Sequence, residues 1–163
     1  MTRNGSSTIR EFQSADAAAL KSLIHRTIAL CYPGHYCAEA VRFFLNYHNE
    51  EAICRDAREG CTIVLARAGR IVGTGTLVGN EIKRVFVDPA AQRLGTGRRI
   101  MRYLEDKACS LQVATVELDA SLPSKAFYDK LGYATVEKTF LPVENGRRLD
   151  FFKMRKILST TLR

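Results

Sequence analysis

From Gln92 to Arg98 the chain reads QRLGTGR, and Arg99 follows. With Arg99 included, the stretch holds two glycines one residue apart, three arginines and no acid. An apolar run, EIKRVFVDP, precedes it, and an amphipathic run, RRIMRYLEDKACSL, comes after. These residue types suit an anion. Glycine lets backbone N–H groups approach a ligand, and a helix starting at the loop turns its unpaired N–H groups and positive dipole end toward the same point. The guanidinium groups of Arg93, Arg98 and Arg99 add full charges, so the ensemble converges on a group of pyrophosphate size. A phosphate loop of the GxxxxGK[ST] type is excluded by spacing. A dinucleotide fingerprint, GxGxxG, fails because Ile100 stands at the third glycine. The pattern Q/R-x-x-G-x-G/A, met by Gln92, Gly95 and Gly97, is left. The same glycines would also serve a loop that needs them only to turn.

The elements around the loop can be read from periodicity. STIREF has the pattern of a first strand. Ser14 is placed to cap a helix carrying Leu20, Leu23, Ile24, Thr27, Ile28 and Cys31 at helical spacing. YPGH breaks it, and a second helix presents Val41, Phe44, Leu45 and His48. CTIVLAR and RIVGTGTLVG form strands joined by a turn at Ala68–Gly69, and EIKRVFV follows Gly79–Asn80. A helix is expected over Arg93–Leu111, buried through Ile100, Met101, Leu104, Ala108 and Leu111. VATVELDA is a strand, and SLPSKAFYDKLG a short helix stopping at Gly132. YATVEKTFL and RRLDFFKMRKI close the chain as a hairpin around Asn145–Gly146. The order β-α-α-β-β-β-α-β-α-β-β predicts an α/β protein, a mixed sheet with helices on both faces.

The bulk numbers agree with a single domain over residues 1–163, with residues 1–6 as a mobile tail. The 163 residues are 46% apolar and 26% charged, which excludes a disordered chain and permits a core without disulfides or metal. No apolar run is long enough for a bilayer, and the polar start lacks a secretory core, so a cytoplasmic protein is expected. The five cysteines form no CxxC pair. Cys31, His35 and Cys37 fall close together but lack a fourth ligand, so free thiols and no metal are expected. The net charge of +8 favours an anionic partner without choosing it. The basic end, RRLDFFKMRKILSTTLR, carries no nucleic-acid motif and reads as a charged strand edge.

From Thr8 to Ile157 the chain resembles the GCN5-related N-acetyltransferase (GNAT) superfamily. The resemblance is carried by EIKRVFVDPAAQRLGTGRRIM, LDASLPSKAFYDKLGY and DFFKMRK, and by the element order. It implies the acyl-CoA N-acyltransferase fold, with a mostly antiparallel sheet, and acetyl-CoA as cosubstrate with its pyrophosphate on Gln92, Arg93, Leu94, Gly95, Thr96, Gly97 and Arg98. It implies further that Val85, Phe86 and Val87 run along the pantetheine arm, with the Val85 N–H as oxyanion donor. Ser121 stands where many members have an asparagine on that arm, its plainer role being a helix cap. Lys130 either reaches a nucleotide phosphate or is simply solvated.

Moving an acetyl group from a thioester to an amine needs a neutral amine, donors for the oxyanion and a proton for the thiolate. The resemblance puts Glu81 where some members carry a general base. A regular strand would set Glu81, Lys83, Val85 and Val87 on one face, and a bulge would shift that parity. The alternative for Glu81 is an ion pair with Lys83 or Arg84. Tyr128 lies where the general acid is often found, or packs at a helix end with Phe127 the more buried of the two. The acceptor pocket implied by the resemblance draws on Tyr32, His35, Tyr36 and Phe140, two tyrosines being able to cage a cationic amine. The expected acceptor is a small-molecule or peptide amine; a homodimer is allowed, while membrane and nucleic-acid partners are not expected. A non-catalytic acyl-CoA-binding domain is the competing reading.

Overall fold

The computed structural model describes residues 6–159; apart from Ser6, the tail expected at residues 1–6 lies outside them. The elements are β1 (Ser7–Glu11), α1 (Ala17–Cys31), α2 (Ala38–Tyr47), α3 (Glu50–Glu59), β2 (Cys61–Arg67), β3 (Arg70–Val78), β4 (Glu81–Val87), α4 (Thr96–Ser110), β5 (Thr115–Ser121), α5 (Lys125–Lys130), β6 (Ala134–Pro142) and β7 (Arg148–Ile157). The strands make one seven-stranded sheet in the order β1-β2-β3-β4-β5-β7-β6. Neighbours run antiparallel except β4 and β5, which are parallel.

Strand alternation feeds two cores. Ile63 and Leu65 of β2 join Ile100, Met101 and Leu104 of α4 on one face. Val64, between them, joins Leu20, Leu23, Ile24 and Ile28 of α1, with Ala40 of α2 and Ile53 of α3, on the other. That is the period-two signature of a sheet covered on both faces. Gly73 and Gly75 of β3 let α4 lie close: a Cβ on Gly75 would stand 2.7 Å from the Ile100 side chain and 2.8 Å from that of Leu104.

Three local expectations are corrected. The segment after Tyr47 is a separate helix, α3, where the sequence reading has none. Asn49 caps it by accepting from the Ala52 N–H at 2.8 Å, and two acids sit in its first turn. Ser14 does not cap α1: Ser14–Asp16 form a 3-10 turn with Gln13 at its N-cap position, the Asp16 carboxylate accepting the Gln13 N–H at 2.8 Å, and Asp16 stands at the N-cap of α1. The helix expected from Arg93 begins at Thr96, since Arg93 and Gly95 both hold positive φ, 63° and 78°. The turns at Ala68–Gly69 and Asn145–Gly146 are formed, all four residues having positive φ. Among the described residues no helix is long and apolar enough to cross a membrane.

Candidate active site

The parallel pair β4–β5 is joined at only one register position, Glu81 with Glu117, and by the Glu117 N–H to the Asn80 carbonyl at 2.9 Å. Beyond that point the strands part, leaving the β5-facing edge of β4 without a strand partner. A cleft of about 190 Å³ opens there. Glu81, Lys83, Arg84, Val85 and Phe86 of β4 line it, facing Asp119 and Ser121 of β5, with Tyr128 of α5, Tyr32 of α1 and the Tyr47–His48 corner.

A β-bulge shapes the β4 wall. Thr74 pairs with Phe86 but Thr76 with Lys83, so Arg84 and Val85 share one place opposite β3, and Arg84 takes φ 52°. The bulge changes the parity a regular strand would have. Val85 and Val87 turn to the α4 face with Ile82, while Phe86 packs into the α1 face. The regular-strand expectation that Glu81, Lys83, Val85 and Val87 share a face is therefore wrong.

The bulge also buries Arg84, whose Nη1 donates to Asp56 of α3; Lys83 Nζ lies 3.3 Å from the same carboxylate. Burial alone would raise the Asp56 pKa, but the Arg84 hydrogen bond and charge, with Lys83, hold it below the ordinary range. His48 meets Phe86 edge-on at 5.1 Å, and burial first, then Arg84, push its pKa down to about 3, so the ring is neutral.

Two carboxylates and a phenol stand on the cleft. Glu81 is exposed at the start of β4, and its alternative role, a pairing with Lys83 or Arg84, is not formed, since both cations turn to Asp56. Asp119 is exposed on β5, yet desolvation raises its pKa, with Lys153 and Lys83 opposing and Glu117 adding to the rise. Tyr128 is buried, more so than Phe127, reversing the expected order, and desolvation raises its pKa strongly. Ser121 makes no helix-capping bond; its hydroxyl meets that of Ser124 at 2.6 Å.

In the glycine loop the side chains mostly build the loop itself. Asp88 accepts from Ala90 N at 2.9 Å and from Arg26 of α1 at 2.5 Å, fixing the exit from β4. Gln92 Nε2 donates to the Val87 carbonyl at 3.0 Å, and Thr96 Oγ1 to that of Ala91 at 3.2 Å. Gly95 has open space at its Cβ position and gives α4 no side-chain cap, so the first N–H groups of the helix are left for another acceptor. Gly97 has a different reason to be glycine: a Cβ there would lie 3.0 Å from Phe127 of α5. Arg99 is withdrawn from the anion site expected for it, since its guanidinium donates to Ser7 of β1. Lys130 is exposed.

Residues 33–158 match the family described as acetyltransferase (GNAT) domain. The chain belongs to the GNAT acetyltransferase family. Among curated proteins it is 22% identical over 148 residues to the uncharacterized N-acetyltransferase YafP of Escherichia coli K12, covering 91% of this chain and 95% of that protein. A GCN5-related N-acetyltransferase of Rhodopseudomonas palustris has the same fold, at TM-score 0.86 and 21% identity, over 97% of this chain and 99% of the other. The PaiA N-acetyltransferase of Thermoplasma acidophilum, solved in complex with coenzyme A, superposes at TM-score 0.74 and 14% identity, over 93% and 99% of the two chains.

Within this GNAT domain the four residues expected around the acceptor part company. Tyr32 lines the cleft, its pKa pushed up to about 12 by burial. Tyr36 does not: its hydroxyl donates to the Asp150 carbonyl and accepts from the Leu122 N–H, each at 2.8 Å, which makes it a structural tie. His35 lines a separate surface hollow with Tyr36, Cys37 and Arg148. Phe140 is 44% exposed under the Arg148 guanidinium, 3.6 Å from the ring centroid. A two-tyrosine cage of Tyr32 and Tyr36 is therefore not formed. The cleft walls come instead from Phe43, Phe44, Tyr47, Phe86 and Phe151. Asp119, Arg84 and His48 were missed as site residues. Asp119 and Arg84 read as ordinary alternating strand charges, and only the parting of the strands gives them a cavity to face.

Proposed function

We propose that this chain is an acetyl-CoA-dependent N-acetyltransferase acting on a primary amine, with direct attack of the amine on the thioester. The observation that carries the reading is the parting of β4 from β5 after Glu81, which leaves a strand edge unpaired beside a cleft holding two carboxylates and a buried phenol. That edge suits the amide-bearing pantetheine arm, which can add to it as a strand would. Acetyl-CoA supplies the activated acyl group when bound. The uncapped start of α4, with the exposed Arg93 and Arg98 and the backbone of Leu94, Gly95, Thr96 and Gly97, fits its pyrophosphate. Gln92 serves by holding that loop to Val87. The loss of Arg99 leaves two arginines for the phosphates, with the exposed Lys130 as a candidate third cation.

The chain's own residues then divide the work. Glu81 and Asp119 are the candidate acceptors for the amine proton; desolvation raises the Asp119 pKa above its ordinary value, the direction that suits a general base. Val85, at the bulge, offers its N–H to the oxyanion. Tyr128 stays protonated because burial raises its pKa, and it donates to the departing sulfur. Ser121 and Ser124 flank the arm on the β5 side. We read the protein as cytoplasmic.

Thiol release from acetyl-CoA against a panel of amines, amino acids and peptide N-termini tests this. Acceptor-dependent release is expected. Glu81→Gln and Asp119→Asn identify the base as the variant that loses turnover with coenzyme A affinity unchanged. Binding of coenzyme A without release for any amine would favour the non-catalytic reading, and no binding at millimolar concentration would reject both.

A further inference from the structure

The acceptor side of the cleft holds cationic charge that acetyl transfer does not use. The Arg84 side chain is 2% exposed, and its Nη1 goes to Asp56, but Nε and Nη2 are buried without a partner. Those two atoms form the side-on edge of a guanidinium, the fork that grips both oxygens of a carboxylate in parallel. Leaving buried donors of a charged group idle is costly, so their persistence asks for an acceptor. The chain also spends backbone strain on this placement, since Arg84 is a non-glycine residue with φ 52°. Lys83 Nζ adds a second cation 3.3 Å from Asp56, so a single buried carboxylate faces two positive groups, with the exposed Arg55 Nε 3.6 Å from it as well. His48, whose Nδ1 is also buried and unpartnered, carries no charge to oppose them.

The rest of the cleft sets the frame of the ligand. Glu81 and Asp119 stand on the same cavity as Lys83 and Arg84, so its charge is dipolar, acids for an amine and bases for an anion. Aromatic rings wall it, and its space of about 190 Å³ suits an acceptor with an aromatic or apolar frame. Tyr47 lies over the guanidinium, 5.5 Å from its carbon to the ring centroid, and is itself 45% exposed, so the ring against the guanidinium borders solvent.

We infer that the acceptor is a small zwitterion, a primary amine that also carries a carboxylate on an aromatic or apolar frame, its carboxylate gripped by the side-on edge of Arg84 and by Lys83. A phosphate dianion is disfavoured, because Asp56 already cancels one of the two cations. The inference rests on the reading of this cleft as an amine-acceptor site.

Two experiments separate the inference from that reading. Calorimetry on the resting protein, without acetyl donor, compares phenylacetate with phenylacetamide. The acid is expected to bind about tenfold tighter or better, the value of a charge-assisted pair. Arg84→Lys, which keeps the charge but loses the fork, and Lys83→Met should each erase most of that difference. Equal binding of acid and amide to the wild-type protein overturns the inference, whether or not either variant folds. Thiol release then compares phenylalanine with phenylalaninamide and phenethylamine. A lower KM for phenylalanine, lost in Lys83→Met, is expected; equal or better use of the uncharged partners overturns the inference while leaving acetyl transfer intact. Selective phenylacetate binding with no turnover of any amine upholds the carboxylate site and sinks the transfer reading instead.

Discussion

Tyr128 and Asp119 face one cleft with opposite demands on a proton, and desolvation serves both. Desolvation disfavours the charged form of each, keeping the phenol protonated and holding the carboxyl neutral to higher pH than usual. If Asp119 takes the amine proton, its carboxylate fills only as pH rises through that raised pKa. The acid limb of kcat/KM should then lie above the ordinary carboxylate range, and Asp119→Asn should remove the limb and lower the plateau. An unchanged pH–rate profile in that variant would transfer the role to Glu81. The same shift has a stability sign. The folded form keeps a proton that the unfolded chain has lost, so stability falls as pH rises through the window between the two pKa values. Asp119→Asn should therefore gain stability relative to wild type above that window, measured as urea midpoints at acid and neutral pH. Tyr128→Phe should lower kcat by roughly 10²–10⁴ if the phenol is the acid, with coenzyme A binding preserved in calorimetry.

Helices and strands in this chain follow local rules wherever one segment decides its own fate. The α4 stripe from Ile100 to Ala108 and the turns at Ala68–Gly69 and Asn145–Gly146 were legible because spacing and turn residues suffice for them, whereas Leu111, expected in the same stripe, falls past the helix end and is exposed. The α3 helix carried its own signals, Asn49 before two acids and Gly60 at its end, but it was hidden behind α2 because the break between them is only the corner at His48–Asn49. The bulge in β4 entered the sequence reading only as an alternative to a regular strand, and the residues could not choose between them, because the bulge depends on what β3 does opposite it. Gly97 is a further case of tertiary control. Its motif position suggested a ligand approaching the backbone, and the structure adds a second reason for glycine, Phe127 standing against the Cβ position. Gly97→Ala should press a methyl group on that ring and cost about 1–3 kcal/mol by overpacking. Phe127→Leu made with it should recover much of the loss, and a double-mutant cycle in urea would read the coupling. Additive losses would mean that the two residues do not share the space.

At the scale of the molecule, the sheet consists of two parts, β1–β4 and β5–β7, joined by the single register position at Glu81 and Glu117. A cleft opened by so short a seam needs braces elsewhere. Tyr36 is one: from the loop after α1 it donates to Asp150 of β7 and accepts from Leu122 just after β5, so one hydroxyl ties the helical layer to the far part of the sheet. Its burial pushes the phenol up to about 12, so the donated bond persists across the neutral range. Tyr36→Phe keeps the ring and removes both bonds, leaving the Leu122 N–H and the Asp150 carbonyl without their partner. The expected cost is about 1–3 kcal/mol. Hydrogen exchange should quicken at Leu122 and in the neighbouring stretches of β5 and β7, while the β1–β3 ladder keeps its protection. Since Ser121 and Ser124 border the cleft next to that N–H, the same variant should raise the KM for acetyl-CoA more than it changes kcat. Uniformly faster exchange over the whole sheet would instead make Tyr36 an ordinary core residue, with the two parts of the sheet held together by packing alone.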